Sequence, residues 1–196
     1  MPALIVEATE STLPEQKKSL KFLEKRNNLA EQKKTKKAKK HTLKSTNPSD
    51  TEINTLIQQY QAGRYGNAEK LAASLTKRFP NHQFGWKVLG VILQQTGRIR
   101  ESLVPNQKAA ALFPQDAEAH SNLGLTLQGL GRLNEAEASL RQAIALKSDC
   151  AEAHYNLGIT LQELGRLDEA EASYTQATAL KPGYAEAYNN LGNTLQ

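Results

Sequence analysis

The chain repeats itself every 34 residues. Residues 117–150 read AEAHSNLGLTLQGLGRLNEAEASLRQAIALKSDC and residues 151–184 read AEAHYNLGITLQELGRLDEAEASYTQATALKPGY, identical at 24 of 34 positions without a gap. A period of this length marks a solenoid, in which one unit cannot bury its apolar face alone and stacked neighbours bury it together. One step back, residues 83–116 match 117–150 at 10 positions, among them Leu89, Gly90, Leu93, Gly97, Ala109 and Leu112. Residues 49–82 are a weaker copy that keeps Gly63, Ala68 and Pro80. Residues 185–196, AEAYNNLGNTLQ, repeat the opening of the unit. The array is therefore read as units 49–82, 83–116, 117–150 and 151–184, with the first helix of a fifth at 185–196.

Each unit reads as two helices. In the third, Ala119, Leu123, Leu127 and Leu130 recur at spacings of four and three, which is helical. Gly131 then supplies a C-terminal stop. Leu133, Ala136, Leu140, Ala143, Ile144 and Leu146 form a second helical pattern. Pro80, Pro114 and Pro182 fall just after second helices, where proline ends a helix cleanly. Ser49 and Glu52 have capping-box spacing and start the first helix at Asp50. Gly90, Gly124, Gly158 and Gly192 share one position of the first helix, and Ala68, Ala136 and Ala170 share one of the second, with Ser102 in its place in the second unit. Small side chains there let paired helices approach. Pro105, inside a second helix, removes a backbone hydrogen bond and predicts a kink.

The charge is uneven. Residues 1–48 carry 12 Lys/Arg against 5 acids, whereas 49–196 carry 13 against 15. The first 48 residues are read as a basic tail, disordered or partly helical over 15–40, with a flexible linker at 41–48. Its tract Lys33–His41 could attract nucleic-acid phosphates or an anionic membrane. No aromatic residue interleaves there to stack on bases, and the plainer reading is a solvated tail. No apolar run approaches the ~20 residues of a membrane helix, and Leu4-Ile5-Val6 is too short for a signal-peptide core. A single cysteine, Cys150, forms no internal disulfide. A soluble cytoplasmic protein is the expectation.

The 34-residue helix–turn–helix with Leu-Gly, Gly, Ala and Pro at these offsets resembles the tetratricopeptide repeat. The large aromatic near the start of that motif is met by Trp86, His120, His154 and Tyr188, and the small residue late in its second helix by Ala109, Ala143 and Ala177. The first unit departs from the pattern, lacking the aromatic and the Leu-Gly pair. The resemblance implies an all-α fold, a right-handed α-solenoid of stacked helix-turn-helix repeats, whose first helices line a concave face. More loosely, the repeats are similar to arms that precede glycosyltransferase or sulfotransferase domains in bacterial proteins. The tract His-x-Asn-Leu-Gly at 120–124 and 154–158 is similar to repeats of the O-linked N-acetylglucosamine transferase family.

By family position the groove candidates are Asn122, Asn156 and Asn190, one per unit, with Lys87, Ser121, Tyr155 and Asn189 beside them and Gln94, Gln128 and Gln162 further along. A side-chain amide offers both donor and acceptor, so a ladder of them can pair with the backbone of an extended peptide of any sequence. The transferase resemblance implies such a ladder. The competing reading is that these asparagines cap or bridge neighbouring repeats. His120, His154 and Cys150 invite a metal reading, but the two histidines stand 34 residues apart, on stacked units and in the aromatic packing position, which argues against it. No phosphate-loop motif, paired carboxylates or nucleophile–base arrangement occurs, so no catalytic residue, metal or cofactor is expected. The function expected is a scaffold holding a partner protein or peptide. The alternatives are the substrate-recognition arm of a larger transferase continuing past residue 196, and a nucleic-acid or membrane adaptor acting through the tail. Self-association through an uncapped C-terminal end is a further expectation, since Leu191 and Leu195 would present an open flank.

Overall fold

The computed structural model describes residues 46–194, which belong to one compact unit, Thr46–Gln196. The expectations for Lys33–His41, for residues 15–40 and for most of the 41–48 linker fall outside the described residues. Within them lie nine helices and no strand. These are α1 (Asp50–Gln61), α2 (Tyr65–Arg78), α3 (Gln83–Gln95), α4 (Ile99–Leu112), α5 (Ala117–Gly129), α6 (Leu133–Leu146), α7 (Ala151–Glu163), α8 (Leu167–Leu180) and α9 (Ala185–Thr194). Odd-numbered helices are the first of each unit and even-numbered helices the second. The fold is an all-α solenoid.

Local chemistry sets the boundaries. The Ser49 hydroxyl accepts from the Glu52 amide, while the Glu52 carboxylate accepts from the Ser49 amide at 2.9 Å and from its hydroxyl at 2.8 Å. This is the capping box read from the spacing. Asp116 caps α5 by accepting from the Glu118 and Ala119 amides. Each first helix up to α7 ends in a glycine with φ of +67° (Gly63), +74° (Gly97), +70° (Gly131) or +75° (Gly165). The following arginine amide returns to a carbonyl five residues earlier, as from Arg132 to Leu127 at 2.9 Å. With the glycine amide returning three residues, as from Gly131 to Gln128 at 2.8 Å, this bond closes the helix end and demands a left-handed residue.

The turn between units is closed by a side chain. Trp86 Nε1 donates to the Pro80 carbonyl at 2.9 Å, and the Nε2 atoms of His120 and His154 lie 3.0 Å from the Pro114 and Ser148 carbonyls. A carbonyl only accepts, so the proton of each histidine sits on Nε2. The motif's aromatic position thus clamps the preceding loop.

The small residues work in pairs across each unit. A Cβ on Gly124 would lie 2.6 Å from Leu140 Cγ, and one on Gly158 would lie 2.5 Å from Tyr174 Cε1. A Cβ on Gly90 would collide with the Asn106 amide. The first unit reverses the sizes: Leu56 occupies the glycine position and Ala72 faces it, both fully buried. Its missing Leu-Gly pair is therefore a volume exchange across the same contact. Nothing lies within 4 Å of a Cβ built on Gly192. Leu191 packs partly against the Leu157–Tyr174 core, while Leu195 lies outside the described residues. Helix α4 runs through the buried Pro105 to Leu112 without a break.

Candidate functional site

Each second helix packs on its own first helix and on the first helix of the next unit, while α3 meets α5, α5 meets α7 and α7 meets α9. No comparable contact joins the second helices among the described residues. Helices α3, α5, α7 and α9 are thus drawn together on one side and build one continuous face.

The residues of this face divide by what they already bond. Gln94 spends its amide inside the array: Nε2 donates to the Asn122 carbonyl at 2.9 Å and to Thr126 Oγ1 at 2.8 Å. Gln162 Oε1 accepts from the Tyr174 hydroxyl at 2.7 Å. Burial pushes that phenol up to about 12. Gln128 remains half-buried, reaching toward Glu163 at 3.4 Å. The Asn122 side-chain nitrogen is buried without a protein partner, and Asn156 is only 9% exposed. Asn190, half-buried, donates to the Tyr155 hydroxyl at 3.4 Å and so bridges two units. Ser121 and Tyr155 are half-buried and Asn189 is exposed.

Lys87 sits in a charged knot at the α3–α5 seam. Its Nζ lies 3.1 Å from Asp116 Oδ2 and 2.5 Å from Glu118 Oε2, and Gln83 Nε2 donates to the same Asp116 oxygen at 2.6 Å. Burial alone would lower the Lys87 pKa, but the bonds to Glu118 and Asp116 outweigh it and raise it. Burial would likewise raise Asp116, and the bonds from Lys87 and the Ala119 amide bring it below the usual range. Next to this knot is a hollow of about 660 Å³ whose lining includes Phe84, Lys87, Val88, Phe113 and Glu118. Sequence reasoning found Lys87 but missed its apolar neighbours. The available signal was departure from the repeat: Phe84 stands where later units have Glu118, Glu152 and Glu186, and Phe113 where they have Lys147 and Lys181.

Tyr155 rests against Tyr174 and Tyr184, with ring centroids 6.0 and 4.8 Å away, and Lys181 Nζ lies 4.3 Å from the Tyr184 ring centre. Burial pushes the Tyr184 hydroxyl up to about 12. Among the described residues no group of three or more His, Cys, Asp or Glu is placed to hold a metal ion, and no helix is long and apolar enough to cross a membrane.

A tetratricopeptide-repeat family model matches residues 121–185 and 155–195. No curated protein matches the chain. Among solved structures, MamA protein is similar at 25% identity and a TM-score of 0.67, over 74% of this chain and 79% of that one. TTC0263, a thermophilic TPR protein of Thermus thermophilus, is similar at 28% identity and a TM-score of 0.59, over 74% and 79%. YrrB, described as a TPR protein with an unusual peptide-binding site, shares the fold at 21% identity and a TM-score of 0.66, over 81% and 80%. In-phase repeats, stacked helix pairs and the family match agree, and residues 121–195 of this chain are tetratricopeptide repeats.

Proposed function

We propose that the repeats hold a segment of a partner polypeptide along the face built by α3, α5, α7 and α9. One observation carries the reading: α3, α5, α7 and α9 meet successively, so residues one repeat apart line up as rows on a single surface. Along one row run Lys87, Ser121, Tyr155 and Asn189. Behind it run Asn122, Asn156 and Asn190, and beyond it Gln94, Gln128 and Gln162. The accessible members, Ser121, Tyr155, Asn189, Gln128 and Gln162, offer hydroxyl and amide groups that pair with peptide N–H and C=O without regard to side-chain sequence. The hollow beside Phe84, Val88 and Phe113 would accept one apolar side chain of the segment and fix its position. YrrB lends fold-level support, since its own description includes a peptide-binding site.

The test is affinity for a partner captured by the full chain. Ser121→Trp fills the groove from a half-buried position of α5 and should abolish capture while circular dichroism shows helicity retained. Gln128→Ala with Asn189→Ala, which removes two amides on the accessible side, should weaken it while helicity holds, each lost contact mattering by about 1 kcal/mol. A partner that binds Ser121→Trp with unchanged affinity would remove the groove from the account. One that ignores only the double amide variant would remove amide pairing from the account.

A further inference from the structure

The seams between units differ in what fills them. The residue facing the first-helix glycine is Leu140 in the third unit and Tyr174 in the fourth, and both join one apolar cluster with Leu157, Leu161 and Ala170. In the second unit it is Asn106, which is 1% exposed. Asn106 Nδ2 donates to Thr126 Oγ1 on α5 at 2.8 Å, and Ser102, fully buried in the position alanine holds elsewhere, lies 3.1 Å from the same hydroxyl. Two atoms of this layer, Asn106 Oδ1 and Asn122 Nδ2, are buried without a protein partner. A polar layer with unmatched members holds two surfaces together less firmly than a leucine layer of the same size.

The outer side of the same seam lacks its staple. Arg98 on the second unit reaches Glu69 of the first at 2.8 Å, and Arg166 on the fourth reaches Glu137 of the third at 2.7 Å. The partner that Arg132 would need is position 103, which is leucine, and Arg132 turns to Glu135 on its own helix. Pro105 further removes one backbone donor from α4. The inner side is tied instead, by Gln83 and Lys87 to Asp116, by Lys87 to Glu118 and by Gln94 to Thr126.

We infer that the α4–α5 seam is a hinge: the units α1–α4 and α5–α9 open from each other on the second-helix side while the first-helix side stays tethered. In a repeat array, stability is a sum of unit and nearest-neighbour terms, so motion concentrates at the weakest seam. A hinge there changes the curvature of the first-helix face without unfolding any helix, which lets one groove accommodate segments of different shape.

Spin labels read this directly. Positions 100, 134 and 168 are equivalent in the second, third and fourth units, and Arg100, Asn134 and Asp168 are all exposed. In the full chain carrying Cys150→Ser, labels at 100 and 134 span the α4–α6 gap, and labels at 134 and 168 span the stapled α6–α8 gap. The expected result is a broader distance distribution for the first pair. Asn106→Leu should narrow it to the width of the second pair. The chain already shows that leucine fits this position, as Leu140 against Gly124, and Thr126 keeps its bonds to Gln94 and Ser102. Leu103→Glu, which supplies the missing partner for Arg132, should narrow it independently. Equal widths for the two pairs in the parent chain overturn the hinge. So does a broad first pair that neither substitution narrows.

Discussion

Exchanging the volumes at one contact offers a quantitative check on how the units pack. Leu140 is fully buried, and a Cβ on Gly124 would lie 2.6 Å from its Cγ and 2.9 Å from its Cδ2. Cγ is a branch point, so it cannot swing aside as a side-chain tip would. Gly124→Ala therefore overpacks the pair at a cost of about 1–3 kcal/mol, partly offset by about 1 kcal/mol of better helix propensity. The net expectation is a loss of about 1 kcal/mol. Leu140→Ala alone empties the site and costs about 2–5 kcal/mol. The double variant Gly124→Leu/Leu140→Ala rebuilds the arrangement that Leu56 and Ala72 already show in the first unit. It should be more stable than Leu140→Ala by about 2 kcal/mol, because the leucine at 124 refills the emptied site. Urea denaturation followed by circular dichroism at the helix band measures all three at constant slope. A double variant no more stable than Leu140→Ala would refute the claim that volume across this contact, and not glycine itself, is what the fold requires.

Two further outcomes follow from local chemistry. The amide and hydroxyl of Ser49, with Arg78 adding to them, hold the Glu52 carboxyl down from 4.5 to about 2. A depressed carboxylate contributes stability that is complete above its unfolded value and lost as pH falls through the folded one, so Glu52→Gln should flatten the decline in denaturation midpoint between those two values. Gly131→Ala places a Cβ where φ is +70° with nothing within 4 Å to clash, so its loss of about 1–2 kcal/mol is purely conformational, and Gly131→Asn should recover part of it in the same denaturation assay.

The amino-acid sequence alone determined the period, the helix pairs and their ends, because these depend on interactions within about one turn. Ser49 with Glu52, the left-handed glycines and the 3.6-residue pattern need no distant partner. It also marked the face on which the groove candidates lie, since repeat phase carries a residue to the same side of every unit. Tertiary structure decided which of those candidates are still available. Gln94 and Gln162 look alike in the repeat, yet each is already bonded to a different neighbour, and Asn156 is buried where Asn189 is exposed. It also showed that Leu56 with Ala72 is the counterpart of Gly124 with Leu140, a relation invisible when each position is read alone. The physical reason is that packing constrains the sum of two volumes and the pairing of two polar groups, and a sequence pattern displays only one member of each pair at a time.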